Sequence, residues 1–415
     1  MMFQSILYNT WLSIRKNRVR SMMAGFGIAW GIFILIIFLG IGNGFKDGVM
    51  EMFNAYAQKS LFVYGGTVSI PTNRVNENAQ ILFEDVIIPQ IKNRYHCIDN
   101  CSPETALRSV AISYKNRRIF THITGVNPDY FKIKNLEISS GETFCQLDNI
   151  NRRNLAVIGD GIEQVLFEHY SGIGKHINLN GVTYEVIGII SSDNLMSVQE
   201  RNAIYIPIEA YFADFKTERD VDSFCLSLDS NADVSDLEKD LRGYLAYKYG
   251  FDVYDDQALY IANIESQTKS FESLFTGLEF LIWIIGACML LSGIISICNV
   301  MLIVVKERTN EIGIRKAVGA TSNSIIHMIM TESILITTIS GIFGAVLGGL
   351  IVLLADRLIL PSLNTSIISS VGINLTVTVF ALIILCISGI VAGLFPALKA
   401  SQVAPIDAIR YENRG

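Results

Sequence analysis

The chain has 415 residues, 50% hydrophobic and 17% charged, with a mean hydropathy of +0.39 and a formal net charge of −6. That average hides strong segregation. Four stretches, roughly 22–45, 278–305, 328–355 and 374–398, are apolar for the length a helix needs to cross hydrocarbon. Core helices of soluble proteins are rarely so long and so free of charge, and no basic run suggests a nucleic-acid partner.

Residues 1–21 open the chain with Phe3, Ile6, Leu7, Thr10, Trp11 and Ile14 on one helical face, followed by Arg15, Lys16 and Arg18. This pattern suits an amphipathic helix on the cytoplasmic membrane surface. The first span, 22–45, is longer than the apolar region of a signal peptide and lacks a small-x-small cleavage site, so it reads as an uncleaved anchor.

Residues 46–277 form a large extracytoplasmic insertion. Just past the first span, Phe45, Val49, Met52, Phe53 and Tyr56 keep a helical period. Before the second span, Ile261, Ile264, Phe271, Leu274, Phe275 and Leu278 do the same. Both segments run without proline into their membrane helices, which predicts a helical stalk. Between them, "SLFVYGGTVSI", "NLAVIG", "HINLNGVTYEVIGIIS", "NAIYIPI" and "SFCLSL" read as strands, and the Asn-Gly pair in the third marks a hairpin. "GDGIEQVLFEHY" and "VSDLEKDLRGYLAYKYG" read as helices, the second closed by Gly250. The fold class is therefore a four-helix membrane protein with an α+β domain between helices 1 and 2, carried on that stalk. Cys97 and Cys101 in "CIDNC" are either a local disulfide or free thiols. Zinc is not expected there, because further ligands are missing.

The second span, 278–305, leads into a charged loop, 306–327. Within "KERTNEIGIRKAVGAT", Glu311 and Arg315 are i,i+4 partners on a helix. Ile314, Ala317 and Val318 make a small apolar patch, and Gly319 suits the C-terminus. A helix this short needs a partner, either the bilayer surface or a protein groove. The third span, 328–355, a short outer loop, 356–373, the fourth span, 374–398, and a tail, 399–415, complete the chain. Arg and Lys crowd the N-terminal flank, the 306–327 loop and the tail, whereas 356–373 holds only Arg357. The positive-inside rule then makes both termini and the charged loop cytoplasmic.

Gly27 and Gly31, Gly344 and Gly348, and Gly389 and Gly393 are each four apart, the spacing that lets membrane helices approach closely. With only four spans there is little room for a translocation path, which favours a dimer; packing within one protomer is the alternative. Glu279 and Glu332 lie near span ends, where both can reach the interface, so a proton-driven carrier lacks its deep carboxylate.

Catalytic signatures are missing. The sole Gly-Lys pair, Gly174-Lys175, is followed by His176, so no phosphate-binding loop is present, and neither H-E-x-x-H nor G-x-S-x-G occurs. His96, His122, His169, His176 and His327 lack ligand spacing, and Asp255 and Asp256 read as a solvated face. No metal and no cofactor on this chain are expected.

"ERTNEIGIRKAVGAT" resembles the signature of the MacB and FtsX superfamily of ABC transporter permeases. The resemblance extends to "RKNRVRSMMAGFGIAWGIFILIIFLGIGNGF", "LAVIGDGIEQVLF", "GIGKHINLNGVTYEVIGII", "NAIYIPIEA" and "AGLFPALKASQVAPIDAIRYE". It implies a dimer, with a second copy or a paralogue, seated on separate ATPase subunits that carry ATP and Mg. The helix that docks on the ATPase would comprise Glu307, Arg308, Glu311, Ile312, Gly313, Ile314, Arg315, Lys316, Ala317, Val318 and Gly319. MacB itself carries its ATPase ahead of the first span. Only about 20 residues precede it here, so a separate ATPase polypeptide is expected. Three family uses follow: efflux with a periplasmic adaptor and outer-membrane channel, lipoprotein extraction, and signalling to a cell-wall hydrolase. The size of the insertion favours efflux, of a periplasmic substrate such as an antimicrobial or peptide, from the bacterial inner membrane. The alternative from another class is an ATPase-independent, membrane-anchored binding module.

Overall fold

The computed structural model describes residues 18–54, 56–168, 170–191, 198–216, 218–359 and 375–402. The expected N-terminal surface helix, with Phe3, Ile6, Leu7, Thr10, Trp11 and Ile14, lies outside these residues, as do 360–373 and 403–415. The chain begins with α1 (Arg18–Phe53), β1 (Ser60–Gly65), β2 (Phe83–Glu84), α2 (Ile87–Arg94), β3 (Ile98–Tyr114), β4 (Arg117–Val126), α3 (Asp129–Ile133) and β5 (Ile138–Gly141). It continues through α4 (Gln146–Ile150), β6 (Leu155–Gly159), α5 (Asp160–Phe167), β7 (His176–Leu179), β8 (Val182–Ile190), α6 (Val198–Arg201), β9 (Ala203–Pro207) and α7 (Ile208–Asp214). It closes with β10 (Asp220–Val221), β11 (Ser223–Leu228), α8 (Val234–Tyr249), β12 (Leu259–Asn263), α9 (Ile264–Glu307), α10 (Thr309–Ala317), α11 (Ser322–Leu354) and α12 (Leu375–Ser401). Two compact units result, Val49–Ser273 and Met1–Gly48 with Leu274–Gly415.

The inserted unit is built on a ten-stranded mixed sheet in the order β12-β1-β11-β3-β4-β9-β6-β8-β5, with β7 pairing β3 and β8. The β7–β8 turn takes positive φ at both Asn180 (49°) and Gly181 (102°), the backbone a tight hairpin needs. The Asn-Gly signal therefore folds as its chemistry predicts. α2 buries Ile87, Ile88 and Ile91, and α8 buries Leu237, Leu241 and Leu245, within one continuous core. Asp233 caps α8 by accepting from the Ser235 and Asp236 amides (2.9 and 3.2 Å), and Gly250 ends it at φ 82°.

Several segments depart from the sequence reading, among them β12, β3 and β4. Residues 259–263 are not the start of a stalk helix but an edge strand, antiparallel to β1. Leu259, Ile261 and Asn263 point inward while Tyr260 is 55% exposed, a period of two that a short apolar run shares with a helix. The helix starts only at Ile264. β3, the longest strand among the described residues, lacks a simple alternating pattern: Pro103 lies within it, and its register shifts between Leu107 and Val110, where Ser109 takes φ 58°. Where α1 and α9 lie in this unit, Phe53 meets Phe271 with ring centroids 5.3 Å apart.

Among the described residues, four helices are long and apolar enough to cross a membrane: Gly25–Phe53, Ile264–Glu307, Ser322–Leu358 and Ile383–Ser401. They share a core of Ile28, Ile32, Ile36, Ile297, Met301 and Ile329, among others. Their outer faces carry Phe26, Trp30, Phe280 and Phe343, all exposed, as hydrocarbon permits. Phe45 and Phe275 meet edge to face here at 5.6 Å, continuing the aromatic contact of α1 with α9. The protein is thus a multi-pass membrane protein with an α/β domain between its first and second membrane helices.

Candidate functional site

The candidate site is α10 and its neighbours. α9 ends at Glu307, and Arg308 stands between it and α10 with φ −95° and ψ 13°, off the helical values. Thr309 secures the break by donating its hydroxyl to the Val305 and Lys306 carbonyls (3.1 and 2.8 Å). At the far end Gly319 takes φ 103°, its amide donates to Lys316 O (3.0 Å), and the Ala320 amide reaches Arg315 O (2.9 Å). This pair of bonds is a Schellman motif, which satisfies terminal carbonyls and fixes a short helix at a defined length.

The helix has two unlike faces. Ile312 is 1% exposed and Gly313 is buried, both against the membrane unit. On the other face Ile314 is 53% and Val318 85% exposed, with Ala317, Glu307, Glu311 and Arg315 also exposed. The expected Glu311–Arg315 ion pair does not form among the described residues. Arg315 turns instead to the Met328 sulfur on α11, 2.6 Å away, and leaves Glu311 to solvent. Lys316 donates to the Ser401 carbonyl at the last residue of α12, and Ile314, Ala317 and Val318 form the expected patch.

Glu332 of α11 lies beside the start of α10. It is 6% exposed and accepts from Arg308 Nη1 at 3.1 Å. A buried carboxylate in this position is costly unless paired, and the arginine is the compensation.

The six helix-packing glycines face other helices of the same chain. A Cβ at Gly27 would lie 3.3 Å from Gly293 Cα, and one at Gly31 3.3 Å from Met289 Cβ. Gly344 admits the Ala29 carbonyl and Gly348 lies against Phe33 and Ile36. Gly389 rests on Thr337, and Gly393 leaves 2.7 Å to Ser333 Cβ. Close packing within the chain is thus what these glycines serve.

Cys97 and Cys101 are free thiols. Cys97 lies in the turn before β3, and Cys101 is buried within that strand. Burial pushes the Cys101 thiol up to about 12.

Elsewhere in the inserted unit, charged groups are occupied with one another. Lys134 binds Glu200 at 2.9 Å, both nearly buried, and Tyr130 donates to Glu104 at 3.0 Å. Burial works to lower the lysine pKa, but Glu104 and Glu200 outweigh it and hold the ammonium charged. A cleft of about 320 Å3 is lined by Asp85, Asn127, Asn149, Arg152 and Glu209, with Arg219 bound to both Asp85 (2.6 Å) and Glu209. Asp255, read from the sequence as solvated, is 1% exposed and accepts from Ser69, Ile70, Gln257 and Ala258. Among the described residues no cluster of His, Cys, Asp and Glu is arranged to hold a metal.

Comparison with known proteins agrees with this architecture. The family described as MacB-like periplasmic core domain matches residues 21–244, and the FtsX-like permease C-terminal family matches 283–404. The macrolide export ATP-binding/permease protein MacB of Bdellovibrio bacteriovorus is 28% identical over 98% of this chain and 61% of its own length. The uncharacterized ABC transporter permease YknZ of Bacillus subtilis is 25% identical over 96% of this chain and 97% of its own. The crystal structure of the periplasmic region of MacB from Actinobacillus actinomycetemcomitans aligns with a TM-score of 0.44 at 15% identity, covering 53% of this chain and 95% of that one. The chain spans about three fifths of the length of the MacB relatives it matches. With both domain families matched in order along its length, the chain belongs to the MacB-like and FtsX-like family of ABC transporter permeases.

Proposed function

We propose that this chain is the membrane subunit of an ATP-driven export complex, and that α10 docks on a separate ATPase. The observation that carries the reading is the two-faced helix. Ile312 fixes one face in the membrane unit, while Ile314, Ala317, Val318, Glu311 and Arg315 stand exposed on the other. An apolar centre with charged flanks is the composition of a protein groove contact rather than of a solvated loop. α10 and both termini then lie in the cytoplasm, and residues 46–277 lie outside the inner membrane. The Arg and Lys distribution supports this orientation.

In this reading ATP and Mg are bound by the ATPase, and the present chain contributes mechanical coupling. Closure of the ATPases moves α10, and α1 and α9 carry the movement outward. Each of these helices runs without a break from one unit into the other, and the Phe45–Phe275 and Phe53–Phe271 contacts join them. Two such subunits, identical or paralogous, form the working complex. Efflux of a periplasmic substrate with an adaptor and an outer-membrane channel is the preferred use, supported by the macrolide-export name of the Bdellovibrio relative. Lipoprotein extraction and signalling are the alternatives.

The test is co-expression with the ATPase encoded nearest this gene and purification through a tag on this chain. Arg315→Glu and Glu311→Lys, which reverse charge on the exposed face, are expected to lower bound ATPase about tenfold, as loss of a close charge contact does. A wild-type chain that retains no ATPase supports the membrane-anchored binding module instead.

A further inference from the structure

α10 is held at both ends, and by residues of two different helices. At its start Arg308 reaches α11 through Glu332, which lies one turn past Met328, the partner of Arg315. At its end Lys316 reaches the terminal carbonyl of α12 at Ser401. Each tether fits its place. Glu332 is 6% exposed in an apolar helix, so its charge is tolerated only while a cation stays beside it. Ser401 presents a helix C-terminus, whose unpaired carbonyls and dipole attract an ammonium. α11 and α12 in turn pack closely on each other. Ser333, adjacent to Glu332, donates to the Gly389 carbonyl of α12 at 3.2 Å, and Gly389 and Gly393 pack on Thr337 and Ser333.

We propose that the Arg308–Glu332 ion pair, with Lys316 on Ser401, makes α10 a rigid part of the third and fourth membrane helices, so that Glu332 is a positioning residue passing its movement to them. The covalent routes from α10 are residues 318–321, which lead into α11, and Arg308, which leads into α9 and is off helical geometry, a joint between the two helices. Without the ion pair that joint absorbs the displacement. With it, α10, α11 and α12 tilt together against α1 and α9. This inference rests on α10 receiving an ATPase, as proposed above.

The experiment uses the full chain with its co-expressed ATPase, reconstituted in lipid nanodiscs, and reads two quantities: ATPase retained on the tagged chain, and ATP hydrolysis per retained ATPase. Glu332 is remote from the exposed face, so Glu332→Gln is expected to retain ATPase at the wild-type level. Its hydrolysis rate is expected to change about fivefold or more, the range of an energetic coupling between sites. The exchange Arg308→Glu with Glu332→Arg restores the wild-type rate if the pair acts as a pair. Lys316→Met, at the other tether, provides an arm independent of any buried charge and is expected to change the rate in the same direction. Unchanged hydrolysis in Glu332→Gln overturns the proposal, and should that variant not fold, unchanged hydrolysis in Lys316→Met overturns it equally. An exchange no better than the single variants assigns the effect to burial alone and also overturns it. Failure of the wild-type chain to retain any ATPase is a different result, which removes the docking itself.

Discussion

Single residues show how far chemistry can be hidden by local sequence. Asp255 sits in an acidic pair and would be taken for a solvated side chain, yet it is the hub of five hydrogen bonds. Burial alone would raise its pKa; the bonds from Ile70, Ser69 and Ala258 outweigh burial and lower it to about 2. The folded state therefore favours the carboxylate. Its stabilisation is complete above the ordinary carboxylate range and is lost as pH falls from about 4 toward about 2. Asp255→Asn cannot accept the same set of amides and is expected to cost about 2–3 kcal/mol, read by denaturant unfolding at neutral pH. The variant should also show a flatter fall of stability between about pH 4 and pH 2 than the parent does. The two partners lie 186 residues apart, which is why no local pattern announces the latch. Glu332 belongs to the same class. Its charge is visible in the sequence as an anomaly in an apolar run, but its partner Arg308 is 24 residues away and is identified only by the fold.

At the scale of elements, the legible ones are those whose limits are set by neighbouring residues. The Asn180-Gly181 hairpin, the Asp233 and Gly250 caps of α8 and the Gly319 end of α10 all follow from backbone preferences acting over one turn. β3 and β12 were not legible, the first because proline and a bulge break its alternation, the second because its burial is decided by β1 beside it. The membrane helices are recognised by length and apolar composition, but their mutual placement depends on contacts a hydropathy pattern does not contain. Gly344 meets the Ala29 backbone carbonyl so closely that any side chain displaces α11 from α1. Gly344→Leu is expected to lower the thermal midpoint of the detergent-solubilised chain by several degrees, as a destabilisation of about 1–3 kcal/mol would. Gly243, with open space around it in α8, is the control: Gly243→Ala should leave the midpoint unchanged or raise it slightly.

For the whole molecule, the division into two units with separate cores carries a thermodynamic consequence. The sheet core, including Leu61, Ile112, Ile123 and Leu241, shares no member with the core of Ile28, Ile297 and Ile329. Calorimetry of the full chain in nanodiscs is expected to resolve two transitions, with Asp255→Asn moving one and Gly344→Leu the other. A single transition shifted by both substitutions would mean that the units unfold as one. The sequence by itself determined the four apolar spans, the insertion between the first two and the two-faced charged helix after the second. These rest on length, periodicity and capping, which are properties of contiguous residues. Only the tertiary structure decided that the packing glycines meet other helices of their own chain, that Cys97 and Cys101 are free thiols, and that Arg308 neutralises Glu332. Each of these depends on which distant segments meet, and the free energy of a close contact or a buried charge is set by that meeting rather than by the residues on either side in the chain.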